Sequence, residues 1–295
     1  MEKNRYEELK TAEKGAVISI IAYIVLATSK IIIGNWANSN ALRADGLNNF
    51  TDILSSLAVL IGLRISRRPP DDDHAYGHWK LETVASMITS FIMLMVGLEV
   101  LGSAITKIVH HTYSAPDAVS AWVGIFSAIV MYAVYFYNKR LAKKVKSPAL
   151  LAAAKDNLSD AWTSIGTSVA IFAAIFKINI LDSIAAVVIA ILILKTAFDI
   201  FRESAFSLSD GFNEELLPEY KKLIMSINGV KGVRTIRGRT YGANIFLDVV
   251  VLMDPTLTVM QSHYITEIIE KKLQEEYGIF DTDVHVEPYL ANTAK

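Results

Sequence analysis

The sequence predicts a membrane-spanning all-α bundle of six helices followed by a small α+β domain. Three observations carry this expectation. The chain is 52% hydrophobic and only 20% charged, with a mean hydropathy of +0.35, more apolar than an ordinary soluble domain. Apolar stretches near the ~20 residues needed to cross the hydrocarbon core of a bilayer recur before Asp210. Beyond Asp210 no such stretch occurs, and the pattern turns to amphipathic periods.

The six stretches lie near residues 15–34, 41–63, 82–107, 117–137, 150–176 and 181–201. The opening segment, MEKNRYEELKTAEKG, mixes acids and bases and lacks the pattern of a cleaved signal peptide, so the first stretch is expected to be a retained span. Positive charge is unevenly placed. Arg64, Arg67, Arg68 and Lys80 lie between the second and third stretches, and Lys139, Arg140, Lys143, Lys144 and Lys146 between the fourth and fifth. The positive-inside rule then puts both termini in the cytoplasm, and Tyr132, Tyr135, Phe136 and Tyr137 sit where an interfacial aromatic belt would fall. A cytoplasmic membrane is the expected location.

Residues 1–210 are thus expected to form the membrane domain and 211–295 a cytoplasmic domain. In the latter, Leu216, Tyr220, Leu223, Ile224 and Ile227 repeat at helical spacing. Residues 233–240 and 244–252 read as strands, 257–277 as an amphipathic helix, and Val284 and Val286 alternate in a last strand. That order makes a small α+β unit.

Net charge is −1, with no cysteine. A basic face for nucleic acid is missing, and so are disulfides, thiolate ligands and thiol nucleophiles. Any metal must be held by oxygen and nitrogen.

Polar residues inside the apolar stretches carry the functional signal. Asp45, Asn48 and Asp52 fall at i, i+3 and i+7 on the second stretch, and Asp156 and Asp160 at i, i+4 on the fifth, so each set shares a helical stripe. At 1.5 Å per residue, Asp52 and Asp160 both reach roughly 17 Å below their helix starts, near the midplane. An Asp at that depth costs about 2.5 to 3.5 kcal/mol on insertion scales, so three need a compensating partner. Lys30 and Lys195 lie near span ends, where long side chains snorkel; a bound cation is therefore the expected compensation. Interhelical hydrogen bonding as packing glue is the alternative. Carboxylate and amide donors without His or Cys suit Mn(II) or Fe(II) better than zinc.

With these motifs in this order, the chain resembles the cation diffusion facilitator family of six-span divalent-metal exporters. ALRADGLNNFTD and KDNLSD resemble the family's two four-residue-spaced ligand pairs, which implies Asn48, Asp52, Asp156 and Asp160 as the transport site. Asp45, one turn outward from Asn48, reads equally well as an accessory group that receives the ion on exit and as a helix-start acid that hydrogen-bonds the loop. Many zinc members carry His where Asp156 stands, and the Asn-x-x-x-Asp with Asp-x-x-x-Asp pattern is associated with the manganese branch. PPDDDHAYGHWKLE resembles the cytoplasmic loop of the family and implies a second metal site at Asp71, His74 and His78; without the resemblance, two histidines there read equally well as solvated or capping groups. The C-terminal domain resembles the family's metallochaperone-like, dimerising fold. That implies regulatory metal ligands at Asp248, His263, His285 and Glu287, Arg234 in place of another His, and a homodimer. Lys80 and Asp210 match a family charge pair joining the two domains.

The expected function is divalent-metal efflux by proton antiport. Mn(II) is favoured over Zn(II), Fe(II), Co(II) and Cd(II), and the protein is not an enzyme. Carboxylate pairs lacking metal need protons to neutralise them, so metal entry displaces protons. An intramembrane aspartyl protease also uses two acids on different spans, but the paired spacing and the missing Gly-x-Gly-Asp argue against it. A membrane-anchored metal sensor would not need acids at the midplane.

Overall fold

The computed structural model describes residues 2–36, 40–110, 118–175 and 180–290. Side chains are outside the description at 2–5, 34, 40–45, 47, 48, 50, 51, 118, 120, 167, 170–175, 180–183, 185, 186 and 189. The chain forms two compact units, Glu2–Ala205 and Phe206–Lys295.

Six long helices make up the first unit: α1 (Glu2–Trp36), α2 (Asn40–Ser66), α3 (Lys80–His110), α4 (Ala118–Val145), α5 (Pro148–Ile175) and α6 (Ile180–Leu208), whose last residues enter the second unit. The helices overrun the apolar stretches at most ends. Helix α1 begins well before residue 15 because the polar segment Glu2–Lys14 contains neither Pro nor Gly to stop it. Among the described residues, Tyr6–Ile33, Lys80–His110 and Ala121–Val145 are long and apolar enough to cross a membrane by composition alone.

Polarity in this unit is distributed inside out. Large apolar side chains face outward on several helices, among them Ile32, Leu54, Met95, Phe126 and Phe198. The buried set is rich in Ala and Ser and includes Ser19, Ser55, Ser86, Asn138, Asn157 and Ser168. Contiguous outward apolar surface on this scale requires a lipid solvent, and small interior residues let membrane helices approach closely. At Gly62 an added Cβ would lie 2.3 Å from the Cβ of Ala85, and at Gly124 it would lie 2.3 Å from Ser168 Oγ. These two glycines therefore fix the α2–α3 and α4–α5 crossings. Some buried hydroxyls bond back within their own helices, as in Thr89 Oγ1 donating to the Ala85 carbonyl at 3.0 Å.

The second unit contains a 3-10 turn (Glu214–Leu216), α7 (Leu217–Met225), β1 (Val230–Tyr241), β2 (Asn244–Met253), α8 (Val259–Tyr277) and β3 (Asp281–Pro288). The order helix, two strands, helix, strand is the one the periodicities predict. The sheet runs β1-β2-β3, antiparallel across β1 and β2 and parallel across β2 and β3. The parallel pair needs a crossover, which α8 supplies. Thr258 and Gln261 form a capping box at its start, and Gly278 closes it at φ +68. One sheet face packs Val249, Val251 and Val286 against Tyr220, Ile224, Ile269 and Leu273 of the two helices.

Candidate metal transport site

Helices α1, α2 and α5 meet around the acids that the sequence singles out. Asp52 and Asp156 are buried, and Asp52 interacts electrostatically with both Asp156 and Asp160. Asp156 and Asp160 act on one another in the same way. Asp156 is buried with the Ser55 hydroxyl as its hydrogen-bonding neighbour, and among the described residues its Oδ2 is left as a buried acceptor. Asp45 and Asn48 belong to α2, but their side chains lie outside the described residues.

Helix α1 supplies what the sequence reading overlooked. Its buried positions Ala16, Ser19, Tyr23, Ala27 and Lys30 recur at intervals of three and four, placing one stripe against the acids. Tyr23, with no exposed surface, donates to Asp160 Oδ2. Asn157 Nδ2 donates to Tyr23 Oη at 3.0 Å. Asn157 Oδ1 accepts from Ser19 Oγ at 3.0 Å and from Asn138 Nδ2 at 3.0 Å, and Asn138 Nδ2 also reaches Ser19 Oγ at 2.8 Å. A buried polar chain thus runs from α4 through α1 and α5 to Asp160. Such a network specifies one arrangement because every missing partner in low dielectric is costly. The readable signal was Ser19 and Tyr23 at i, i+4, facing Asn157, itself i+3 from Asp160.

Lys30 corrects an expectation. Its position near the end of the first apolar stretch suggested a snorkelling side chain. Instead it is 1% exposed, and its ammonium donates to Asn49 Oδ1 at 2.8 Å. Asn49 Nδ2 donates in turn to Asp52 Oδ2 at 3.0 Å. The helix continues to Trp36, so Lys30 lies inside it, and a carboxylate joined through an amide offers the ammonium a partner inside the bundle.

Between α2 and α3, Asp71, His74 and His78 come together with their ligand atoms all within 4.8 Å of one another. Asp71 organises the loop. Its Oδ1 accepts from the backbone N–H of Asp73 and of His74 and lies 2.9 Å from His74 Nδ1, while Oδ2 lies 3.3 Å from His78 Nε2. The hydrogen bond from His74 holds the Asp71 carboxyl below its ordinary range. Gly77, at φ +78, turns the chain so that His78 folds inward to 7% exposure, and the imidazoles sit 4.3 Å apart. Trp79 anchors the far end of the loop, stacked on Tyr6 of α1 at 5.0 Å. One carboxylate and two imidazoles at this separation form a set of metal-ligand type.

The cytoplasmic-domain residues are not gathered in this way. Asp248 pairs with Asp283 in the parallel register, and His285 and Glu287 follow at period two, so all three lie on the sheet face away from α7 and α8. His263 belongs to α8 and pairs with Glu267 at 3.6 Å, apart from the other three because the helix packs on the opposite face. Two of the acids are already engaged: Asp248 accepts from Arg239 Nη1, and Glu287 from Arg234 Nη1. Lys80 opens α3, and Asp210, at φ +60, follows α6.

A cation efflux transmembrane domain profile matches residues 16–209, and a cation efflux protein cytoplasmic domain profile matches residues 212–289. The chain is 52% identical over 284 residues to the manganese efflux system protein MneS of Bacillus subtilis (strain 168), covering 96% of this chain and 98% of that protein. It is 30% identical over 293 residues to the manganese efflux system protein MneP of the same organism, with the same shares covered. A solved structure, MamM-CTD H285A, aligns with 26% of this chain and 98% of its own at 27% identity and a TM-score of 0.25. A helical membrane domain with interior carboxylates, joined to this soluble unit, defines a membrane transporter of metal cations. The chain belongs to the cation efflux, or cation diffusion facilitator, family.

Proposed function

We propose that this protein exports Mn(II) from the cytoplasm in exchange for protons, holding the ion among Asn48, Asp52, Asp156 and Asp160, with Asp45 one turn along α2 as an accessory group. The observation that carries the reading is the electrostatic contact of Asp52 with Asp156 and Asp160 inside a helical bundle with an apolar exterior. Three carboxylates and an amide form a hard oxygen set that suits Mn(II). Two relatives that match nearly the whole chain are named as manganese efflux proteins.

Protons neutralise the carboxylates when metal leaves, and the returning ion displaces them, so one site serves both directions of exchange. Transport alternates the access of this site between the two sides of the bilayer. The transporter works as a homodimer in the cytoplasmic membrane with both termini inside. The loop set Asp71, His74 and His78 takes a second ion. Asp248, His285 and Glu287, with His263 on α8, respond to metal in the soluble domain once Arg239 and Arg234 release their acids. Metal there regulates transport only by binding one transport state better than the other.

The test is a metal panel in proteoliposomes carrying an internal pH dye, with Mn(II), Fe(II), Co(II), Zn(II) and Cd(II) offered in turn. Mn(II) is expected to move fastest, with proton movement in the opposite sense, and Asp156→His is expected to shift the ranking toward Zn(II). A wild-type ranking led by Zn(II) would remove manganese from the account. Metal flux without proton movement would remove antiport.

A further inference from the structure

We infer that Lys30 is a built-in counter-cation that matches the transport site to a divalent ion. The inference rests on the site proposed above. Asp52, Asp156 and Asp160 contribute three negative charges in mutual electrostatic contact, and a divalent ion supplies two positive ones. One charge is left over, and a net charge buried in a bilayer bundle is costly. Lys30 supplies the remaining unit. It is 1% exposed, its ammonium is held by Asn49 Oδ1 at 2.8 Å, and Asn49 Nδ2 holds Asp52 Oδ2 at 3.0 Å. Lys30 acts electrostatically on Asp52 itself. With these three acids ionised, their carboxylates, the divalent ion and Lys30 sum to zero charge.

The relay through Asn49 also has a geometric consequence. Because the ammonium is held on the amide, the relay reaches Asp52 through Oδ2. Lys30 therefore balances charge at a distance instead of competing as a ligand, and it lowers affinity for the bound ion enough to let it leave. It is a positioning residue: it acts on the ion through the charge it sets and through Asn49.

Mn(II) flux into proteoliposomes, measured over a range of Mn(II) concentrations, tests this. Lys30→Met leaves the loaded site at one negative charge. Screened Coulomb attraction over several ångströms then predicts a KM lower by about tenfold, with a maximal rate reduced by a similar factor. Lys30→Arg keeps the charge and is expected to stay within about twofold of wild type on both. Asn49→Asp produces the same surplus by adding an acid while keeping Lys30, so it must move KM in the same direction, and it carries the test if Lys30→Met fails to fold. An unchanged KM in Asn49→Asp, or a KM that rises in Lys30→Met, would overturn the inference and leave Lys30 as packing. Asp52→Asn controls for the underlying site. If it transports normally, the site assignment fails; if it abolishes transport while KM stays fixed in the charge variants, only the counter-cation role fails.

Discussion

Tyr23 and Asp160 are joined by a buried hydrogen bond that ties the first helix to the fifth across the centre of the bundle. Tyr23 is also the acceptor for Asn157, so one phenol closes a polar chain that begins at Asn138 on α4. Tyr23→Phe removes the donor to Asp160 and leaves Asn157 Nδ2 without this acceptor. A hydrogen bond to a charged group contributes about 1.5 to 3 kcal/mol, so Mn(II) flux at low metal concentration is expected to fall by at least about tenfold. A flux equal to wild type would show that the acid holds its place without the phenol.

The loop set and the bundle set are expected to bind metal independently. Equilibrium dialysis of the full chain with Mn(II) should show Asp160→Asn losing one ion and His78→Ala losing a different one, with the losses adding in the double variant. Loss of both ions in His78→Ala alone would mean that the two sites are coupled.

Acid titration reports on Asp71. Its carboxyl lies below the ordinary range because of the His74 hydrogen bond, so the folded state binds the proton less readily than the unfolded chain. Its contribution to loop order is complete above the unfolded value near ~4 and is lost as pH falls through the lower folded value. Trp79 fluorescence is therefore expected to change as pH falls below about 4, and Asp71→Asn at neutral pH should already show that change. A variant that keeps the wild-type signal at neutral pH and still shows the acid transition would contradict this order.

In the soluble domain, Glu287 is occupied by Arg234. Arg234→Ala frees it, and because exposed pairs are worth about 0.2 to 1 kcal/mol, metal binding at His285 and Glu287 should tighten by up to about fivefold. Calorimetry with the full chain checks this. Weaker binding would mean that Arg234 holds the strand face in its metal-ready form.

How much of this was readable in sequence depended on whether a partner lay on the same helix. Asp156 and Asp160 announce themselves because four-residue spacing puts both on one helical stripe, and His74 and His78 because one short loop holds both. The soluble domain was readable for a similar reason, its helical and strand periods being short and regular. Lys30 was misread because nearness to a span end says nothing of an amide across the bundle. The grouping of Asp248, His263, His285 and Glu287 could not be checked against neighbours distant in sequence. Arg239, opposite Phe246 in the register, reaches Asp248 diagonally across β1 and β2, and Arg234 reaches Glu287 from a strand that is not adjacent in the sheet order.

The central claim is that the carboxylates of α2 and α5 carry the ion. Its most direct test is Mn(II)-driven proton movement in proteoliposomes containing Asp160→Ala, compared with wild type at equal protein density. The account predicts that both metal flux and proton movement fall to the level of empty vesicles. Proton movement at the wild-type rate, driven by Mn(II), would contradict it.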